Sequence, residues 1–509
     1  MIRSALAVVV AASFVSECRS ATGADLTALI RARNTIVEPD LKSHVAVLAD
    51  DTFEGRLAGS RGGRAAAGYL VERFRKFGLQ PLGVNGSYTQ PFDRECRNLL
   101  AVLPGSDPVL KDEYILIGAH YDHVGYGNAR NSFGPFGYIH NGADDNASGV
   151  SALLELAESL TAAPLALKRS VIIVFWDSEE QGLFGSKHWL SRPTIDLGKL
   201  RAAVNVDMIG RLSGEGLHVI GSRTGYGYRN RIARANAETA VPLDFRWEIL
   251  EDSDHHPFYR AGIPVVMFHT GKHGDYHRPS DDAEKLNYAG LQSVSRLVFD
   301  LVVELADGET TPTFRAASRT ESGSERNRET FERPLGPPPG RFGIRWQPHG
   351  GSDDGLQVTY VQNPSPAARA GLQVGDRLLA CDGAKLSSDD DLQRVILRSD
   401  QPVRMTIAPR SGGAAKDVMV TLDGAPVRVG VSWVPDEAEP GCVLVKAVLP
   451  SSPAEKAGLR AVDRIIALDG RQFSGGDEFE TRLGAAQAKL SLTVERRGVL
   501  HEMELELAP

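Results

Sequence analysis

Cysteine is scarce in this chain, which has only four among its 509 residues. Cys96, Cys381 and Cys442 fall one to each of the folded regions assigned below, so their spacing provides no disulfide framework. None of the three has the spacing of a metal ligand. We therefore predict that they are buried thiols.

An excess of positive charge is also absent. The formal net charge is −8, whereas a nucleic-acid surface would need clustered lysine and arginine. Apolar residues at 42% and charged residues at 24% are ordinary for a soluble globular protein. A chain of 509 residues is too long for one ordinary core, so we expect about two to four domains.

Hydrophobic runs long enough to span a membrane are missing too, and one shorter run lies near the N-terminus. Residues 5–15 are mostly apolar, follow Arg3 and are too few to span a bilayer. This pattern is typical of an export signal, so we predict a signal peptide over residues 1–21 and a periplasmic or secreted protein without an integral membrane segment. Lipoprotein anchoring at Cys18 is less favoured, because Glu17 stands where processing sites carry a small residue. A retained membrane anchor is the other alternative.

Composition divides the rest of the chain into four stretches. Residues 25–307 mix helical and strand patterns. Residues 308–340 are rich in Thr, Ser, Arg, Glu and Pro with almost no apolar periodicity, which predicts a flexible, partly extended linker. The two stretches that follow, residues 341–423 and 425–509, resemble each other.

The resemblance between the last two stretches is a repeat of a specific pattern. Residues 365–372 (SPAARAGL) are echoed by residues 452–459 (SPAEKAGL), and each is followed by an Asp-Arg pair, four apolar residues and Asp-Gly. Each unit is predicted to contain a short helix beginning at Ser-Pro-Ala, a glycine stop, a strand and a hairpin turn.

These units resemble PDZ domains in the bacterial, circularly permuted arrangement. Residues 342–344 (Phe-Gly-Ile) and 429–431 (Val-Gly-Val) are similar to the carboxylate-binding loop of that family. The resemblance implies two small β-rich domains. Their ligands would be peptides, or extended segments of protein partners, that add a strand to the edge of a sheet. A purely structural or docking role stays open.

The first large stretch has the pattern of an α/β domain. Continuous apolar runs at residues 114–118, 171–175, 203–206 and 263–268 predict strands covered on both faces. Residues 148–160 carry apolar side chains at helical spacing. We predict a mainly parallel mixed sheet flanked by helices.

Acidic and histidine side chains follow these strands. They are His120, Asp122, Glu179, Glu180, Asp207 and His277, and a further carboxylate, Asp145, lies just before the helix predicted from residue 148. Because ligands collect at the carboxyl ends of strands in an open α/β sheet, these groups are expected to face one crevice. Imidazole and carboxylate together suit zinc, and a bridging carboxylate allows a pair of ions.

Five sequence blocks resemble, in the same order, the motifs of the M28 family of zinc aminopeptidases. They are residues 120–122 (HYD), 142–149 (GADDNASG), 179–183 (EEQGL), 205–207 (NVD) and 276–277 (YH). The resemblance covers roughly residues 41–303. It implies a zinc-exopeptidase fold, two Zn²⁺ ions as cofactors and peptide substrates with a free N-terminus.

The same resemblance implies a set of metal ligands. His120 and Asp207 would complete one zinc site, Glu180 and His277 the other, and Asp145 would bridge them. Asp144 is an alternative to Asp145, which is favoured because it stands three residues before the Ser-Gly of its block. The resemblance also implies a cis peptide bond after the bridging aspartate.

Three further residues are expected to act in catalysis. Glu179 is not needed as a ligand and stands beside one, so it is the expected general base. Asp122 is expected to hydrogen-bond the second ring nitrogen of His120, with Asp281 a weaker candidate for the same task at His277. Tyr276 is expected to donate a hydrogen bond to the developing oxyanion, with packing against its loop as the alternative.

The favoured function is therefore a two-zinc aminopeptidase. One alternative is a glutaminyl-cyclase-like enzyme, which the complete set of five ligands disfavours because that branch keeps a single zinc. The other is an inactive M28 fold that serves with the PDZ-like units as a binding scaffold.

Residues 90–92 run almost directly into residues 98–103, which leaves no room for a protease-associated insert. The loop at residues 126–139 is then a candidate for flanking the crevice, with a disordered excursion as the alternative.

Overall fold

The computed structural model describes residues 26–162, 165–335, 341–348, 355–424, 426–450 and 452–507. The predicted signal peptide lies outside these residues. The chain divides into two compact units, one of Met1–Phe331, Glu437–Pro440 and Glu495–Leu500, the other of Glu332–Asp436, Gly441–Val494 and His501–Pro509. Within the described ranges, no helix combines the length and the apolarity needed to cross a membrane.

A nine-stranded mixed sheet forms the centre of the first unit. Its strands are β1 (Gln80–Pro81), β2 (Thr89–Pro91), β3 (Arg97–Leu103), β4 (Tyr114–His120), β5 (Ser170–Trp176), β6 (Leu200–Val206), β7 (Leu217–Ile220), β8 (Leu243–Arg246) and β9 (Val265–His269). The order is β1-β3-β5-β4-β6-β9-β7-β8, with β2 paired to β3. The central strands β5, β4, β6 and β9 run parallel, and antiparallel pairs flank them on both sides. The predicted α/β fold with a mixed, centrally parallel sheet is confirmed.

Helices cover both faces of this sheet. They are α1 (Leu26–Arg33), α2 (Glu38–Leu48), α3 (Arg61–Lys76), α4 (Gly149–Ala162), α5 (Phe184–Ser191), α6 (Tyr228–Ala235), α7 (His255–Arg260), α8 (Tyr288–Asp307), α9 (Ser318–Glu321) and α10 (Glu325–Glu332). Alternate residues of a strand face opposite sides of a sheet. Accordingly Ile115 and Ile117 of β4 join one core, whereas Leu116 joins the other. Two buried faces explain why the central strands are continuous apolar runs.

Part of the predicted linker has a different structure from the one its composition indicates. The stretch after α8 contains α9 and α10 rather than an extended chain. Arg315 is fully buried and pairs with Glu321, while Phe314 packs against the second core. The composition misled because ion pairs and single apolar side chains hold this stretch in place, and neither produces a periodic hydrophobic pattern.

The second unit contains two antiparallel sheets with the order expected of a repeat. The first has β10 (Ile344–Pro348), β11 (Leu356–Val361), β12 (Arg377–Cys381), β14 (Val403–Ala408) and β15 (Lys416–Val420), with β13 (Ala384–Lys385) paired to β12. The second has β16 (Val431–Pro435), β17 (Val443–Val448), β18 (Arg464–Leu468), β19 (Lys489–Arg496) and β20 (Val499–Glu506). Their helices are α11 (Pro366–Arg369), α12 (Asp389–Arg398), α13 (Pro453–Lys456) and α14 (Gly476–Ala485).

The predicted helix starts are present in both repeats. Ser365 caps α11 by accepting a hydrogen bond from the backbone of Ala368, and Ser452 caps α13 in the same way from Glu455. A proline follows each serine at the first helical position, where its missing N–H costs nothing. The shared sequence pattern therefore produces the same local structure twice.

An edge strand with a tryptophan is a further feature of the second repeat. β16 lies at one end of its sheet, and Trp433 of this strand packs edge-on against Phe479 of α14 with ring centroids 5.1 Å apart. A Cβ atom at Gly476 would stand 2.8 Å from the indole ring. Trp433 thus fills the space between β16 and α14, and a glycine is needed there because the helix approaches the indole so closely.

Candidate active site

The predicted ligands gather at the carboxyl ends of the central strands. His120 ends β4, and Asp207 directly follows β6. Glu179 and Glu180 lie three and four residues beyond β5, and His277 lies in the loop after β9. Together with Asp145 they line one cavity with an empty volume of about 330 Å³. The parallel strands therefore bring residues far apart in sequence to one crevice.

Asp145 lies between two groups of side chains. Its Oδ1 is 3.3 Å from Nε2 of His120, which is also 3.3 Å from Oδ1 of Asp207. Its Oδ2 is 3.1 Å from Nε2 of His277, which is 3.0 Å from Oε2 of Glu180. The two carboxylate oxygens of Asp145 thus face different histidines, each with its own second carboxylate.

The turn that carries Asp145 is held by hydrogen bonds to Asp281. Oδ2 of Asp281 accepts from the backbone N–H groups of Asp144 and Asp145, at 2.9 and 3.1 Å. Asp144 accepts from the backbone of Gly210 at 2.6 Å instead of joining the cluster. The peptide bond between Asp145 and Asn146 is cis, as the family resemblance implies. Asp281 therefore orients Asp145, and the expectation that it also supports His277 stays a prediction.

Asp122 contacts His120 in a different manner from the one expected. The nearest acceptor to Nδ1 of His120 is the main-chain oxygen of Asp122, at 3.1 Å, whereas the carboxylate oxygen Oδ1 is 3.7 Å away. That Oδ1 accepts a hydrogen bond from the backbone N–H of Glu179 at 3.1 Å. The carbonyl of Asp122 thus orients His120, and its carboxylate positions the backbone of Glu179.

The carboxyl group of Glu179 lies beside the first histidine. Its oxygen is within 4.8 Å of the donor atoms of His120 and Asp207. Burial raises the pKa of Glu179 well above its ordinary value, and the neighbouring carboxylates of Glu180 and Asp207 raise it further, although His120 opposes them. A carboxyl group with a raised pKa in a crevice has the properties of a group that exchanges protons.

Tyr276 also lines the cavity. Its ring stacks on that of His277 with centroids 3.9 Å apart, and Nζ of Lys272 lies 4.6 Å from the centre of the Tyr276 ring. Burial raises the pKa of the Tyr276 phenol, and the carboxylates of the site add to the effect. The phenol therefore keeps its proton at neutral pH and is able to donate a hydrogen bond.

The loop at residues 126–139 reaches His277. The backbone N–H of Phe133 donates to the carbonyl of His277 at 3.1 Å, and Oγ of Ser132 donates to the same oxygen at 3.0 Å. Four large side chains of this loop are exposed: Tyr126, Phe133, Phe136 and Tyr138. The loop thus places an aromatic surface next to the candidate site.

Two further side chains that contact candidate ligands were not assigned a role from the sequence. Nδ1 of His123 lies 2.8 Å from Oε1 of Glu180. Oγ of Ser253 donates to Oδ2 of Asp207 at 2.6 Å. A histidine three residues after His120 was a visible signal, whereas Ser253 lies in a stretch without a recognisable spacing to any ligand.

A buried arginine holds the loops that surround the site. Arg56 donates four hydrogen bonds to main-chain carbonyls, at 2.6 Å to Leu48, 2.9 Å to Tyr121, 2.6 Å to Asn141 and 2.9 Å to Gly142. Burial lowers its pKa to about 10, although nearby carboxylates oppose this. The guanidinium thus ties the segment after β4 to the turn that carries Asp145.

Comparison with known proteins identifies the domains. Residues 98–302 match the model of peptidase family M28, and residues 357–409 and 427–507 match models of the PDZ domain. The chain is 30% identical over 201 residues to leupeptin-inactivating enzyme 1 of Streptomyces exfoliatus, and the alignment covers 39% of this chain and 41% of that protein. It is 30% identical over 210 residues to aminopeptidase YwaD of Bacillus subtilis, and the alignment covers 39% of this chain and 43% of that protein.

The chain spans about two fifths of the length of these two curated relatives. Among solved structures, BSAP, a zinc aminopeptidase from Bacillus subtilis, is 18% identical with a TM-score of 0.44, over 55% of this chain and 98% of that one. The family matches and the order of the sequence motifs agree on the arrangement of domains. This chain therefore contains a peptidase family M28 domain followed by two PDZ domains.

Proposed function

We propose that this protein is a co-catalytic two-zinc metallopeptidase that removes N-terminal residues from peptides. The observation that carries the proposal is the position of Asp145, whose two oxygens face His120 on one side and His277 on the other. The M28 match and the aminopeptidases among the relatives support the same reaction.

The donor atoms suit a pair of zinc ions. Ligand atoms about 2.0–2.2 Å from a tetrahedral zinc stand about 3.3 Å apart, and the contacts of Asp145, Asp207 and Glu180 with the two histidines measure 3.0–3.3 Å. Nε2 of His277 lies 3.0 and 3.1 Å from two carboxylate oxygens but has no contact with hydrogen-bond geometry in the described part of the chain, and coordination to a metal ion would satisfy it. His120, Asp207 and Asp145 would hold one ion, and Glu180, His277 and Asp145 the other.

The catalytic roles follow from the positions of the side chains. Zinc ions bound here would polarise the scissile carbonyl and lower the pKa of the attacking water. Glu179 accepts the proton of that water on its carboxylate and delivers it to the leaving amine, while Asp122 holds the backbone of Glu179 in place. Such positioned proton transfer contributes about 10²- to 10⁴-fold in rate. Tyr276 donates its phenol hydrogen to the carbonyl oxygen as negative charge develops there.

Acidic groups in the cavity favour a substrate with a free amino terminus. Asp207, Asp252 and Glu179 all line it. A substrate ammonium group would compensate the carboxylates that the bound metal ions leave unneutralised, whereas an acetylated terminus would not.

Metal analysis combined with a matched peptide panel tests the proposal. The purified chain should contain two zinc ions and should cleave free dipeptides but not the same dipeptides acetylated at the N-terminus. A chelator should abolish the cleavage, and added zinc should restore it. Equal cleavage of the acetylated peptides would contradict the exopeptidase reaction, and activity that survives complete metal removal would contradict the metal mechanism.

For the PDZ domains we propose peptide or protein ligands that add a strand to β10 or β16, the end strands of their sheets. Titration of labelled C-terminal peptides against the full chain, with the same peptides amidated at the C-terminus as controls, measures this directly. Binding that ignores the terminal carboxylate would contradict recognition by the loops at residues 342–344 and 429–431.

We also propose that the chain is exported after removal of residues 1–21, to the periplasm or outside the cell. Lipid attachment at Cys18 remains the alternative. Determination of the mature N-terminus by mass spectrometry separates the two, since a lipidated protein would begin at Cys18 with an added acyl mass. A mature protein that still begins at Met1 would contradict both.

A further inference from the structure

His123 is a buried imidazole beside the candidate zinc site that the mechanism above does not use. It is fully buried and lies three residues after His120. Its Nδ1 is 2.8 Å from Oε1 of Glu180, whereas its Nε2 has no hydrogen-bond partner among the described residues. A buried histidine whose nearest polar contact is a candidate metal ligand, with a second candidate ligand, Asp145, 3.7 Å away, calls for a functional explanation.

The two oxygens of Glu180 face different partners. Oε1 faces Nδ1 of His123, whereas Oε2 is 3.0 Å from Nε2 of His277. The same nitrogen of His277 is 3.1 Å from Oδ2 of Asp145. Oε2 is therefore the oxygen that belongs to the metal-binding group. A carboxylate whose other oxygen is held by a hydrogen bond presents one oxygen to an ion, and outer hydrogen bonds of this kind orient metal ligands.

The ring of His123 is fixed by its surroundings. A Cβ atom at Gly142 would lie 2.6 Å from Cδ2 of His123, so the glycine backbone packs directly against the imidazole. The ring of His277 stands nearly perpendicular to it, at 82° with centroids 5.5 Å apart. The backbone N–H of His123 donates to the carbonyl of Arg56 at 3.2 Å. Nδ1 is thus held in front of Glu180.

We propose that His123 is a positioning residue of the metal site: its Nδ1–H donates to Oε1 of Glu180 and leaves Oε2 to bind the ion that His277 and Asp145 also hold. Direct binding of the ion by Nδ1 fits less well, because Nδ1 is 3.7 Å from Oδ2 of Asp145, more than the roughly 3.3 Å expected between ligands of a tetrahedral zinc. Nε2 has no partner among the described residues in either arrangement, so it does not separate the two. This inference rests on the proposed function, since it requires metal at the site.

Two substitutions of His123 separate the roles. In His123→Asn the side-chain amide nitrogen takes the place of Nδ1 and keeps an N–H donor, but an amide nitrogen is not a zinc ligand. In His123→Ala the donor is lost. The control is His188→Ala, because His188 stacks on Phe92 and is partly exposed. Zinc affinity of the full-length proteins is measured by competition with a chromophoric chelator, and the Co²⁺ absorption spectrum reports the coordination.

We expect His123→Ala to weaken the binding of one of the two ions by about 10- to 100-fold, the usual effect of removing an outer hydrogen bond. His123→Asn should stay within about threefold of the wild type and keep its Co²⁺ spectrum. His188→Ala should bind as the wild type does. If His123→Ala does not fold, His123→Leu fills the same space without a donor and replaces it.

Each other result contradicts the inference in a distinct way. Equal loss in His123→Asn and His123→Ala, with an altered Co²⁺ spectrum, would identify His123 as a ligand rather than a positioning residue. Wild-type zinc affinity in His123→Ala would show that His123 does not position the metal site. A similar loss in His188→Ala would show that the effect is not specific. A wild-type protein that binds no zinc would refute the proposed function itself, and with it this inference.

Discussion

Replacement of Arg56 by methionine tests how the active-site loops are held. The side chain is fully buried, and methionine has a similar length but no donor, so the carbonyls of Leu48, Tyr121, Asn141 and Gly142 would lose their charged partner. Each buried acceptor left unsatisfied costs about 1–3 kcal/mol. The substitution also removes the cost of burying a charge, which is evident in the lowered pKa of Arg56. We therefore expect a net loss of about 3–5 kcal/mol from the free energy of unfolding.

Hydrogen–deuterium exchange with mass spectrometry localises this effect to the first unit. Peptides from β4 and β5 report its opening free energy separately from that of the PDZ domains, which a single two-state transition of the full chain would not do. A loss of about 3–5 kcal/mol corresponds to about 10²- to 10⁴-fold faster exchange. The control is Arg61→Met, because Arg61 pairs with Glu54 while 76% of its side chain is exposed. Its exchange rates should stay close to those of the wild type, because an exposed ion pair contributes little to stability. Equal exchange rates in Arg56→Met and the control would refute the reasoning.

Three further predictions concern the first unit. Glu179→Ala should lower kcat by about 10²- to 10⁴-fold with zinc content unchanged, and simultaneous loss of zinc would show that Glu179 is a ligand. Phe133→Ala should raise KM several-fold, because the substrate would lose an aromatic contact beside Tyr276 worth about 1 kcal/mol. The free energy of unfolding should not change, because Phe133 is 63% exposed. A kcat effect alone would contradict this. A chain ended after residue 335 should keep more of its activity on small substrates than one ended after residue 308, because only the longer chain contains the buried Arg315. Equal behaviour of the two would contradict the observed packing.

The sheet and the gathering of the candidate ligands at its edge could be predicted because each leaves a direct signal in the sequence. Strands buried on both faces must be apolar at every position, so β4 and β5 stand out as continuous runs. Chemistry at the carboxyl ends of parallel strands then follows from geometry, and the cavity lined by His120, Asp207 and His277 fits that expectation.

What sequence reasoning missed depends on contacts between distant segments. Asp281 was paired with its neighbour in sequence, His277, yet its carboxylate accepts from backbone groups more than 130 residues earlier. Arg56 was not noticed, because a buried arginine that serves only main-chain carbonyls has no partner that a motif would reveal. Motifs identify the side chains that meet the reactants, whereas the supports of those side chains become apparent only when the backbone path is known.

The indole of Trp433 has a consequence for the selectivity of the second PDZ domain. A peptide strand added to β16 would lie alongside this ring, because the ring occupies the space next to Phe479 and Gly476 of α14. Any side chain directed toward the helix at that level would have to be small, or the indole would have to rotate away. The domain would then discriminate by size at one ligand position, and a change in Trp433 fluorescence on titration with glycine- or leucine-bearing peptides would reveal which of the two responses occurs.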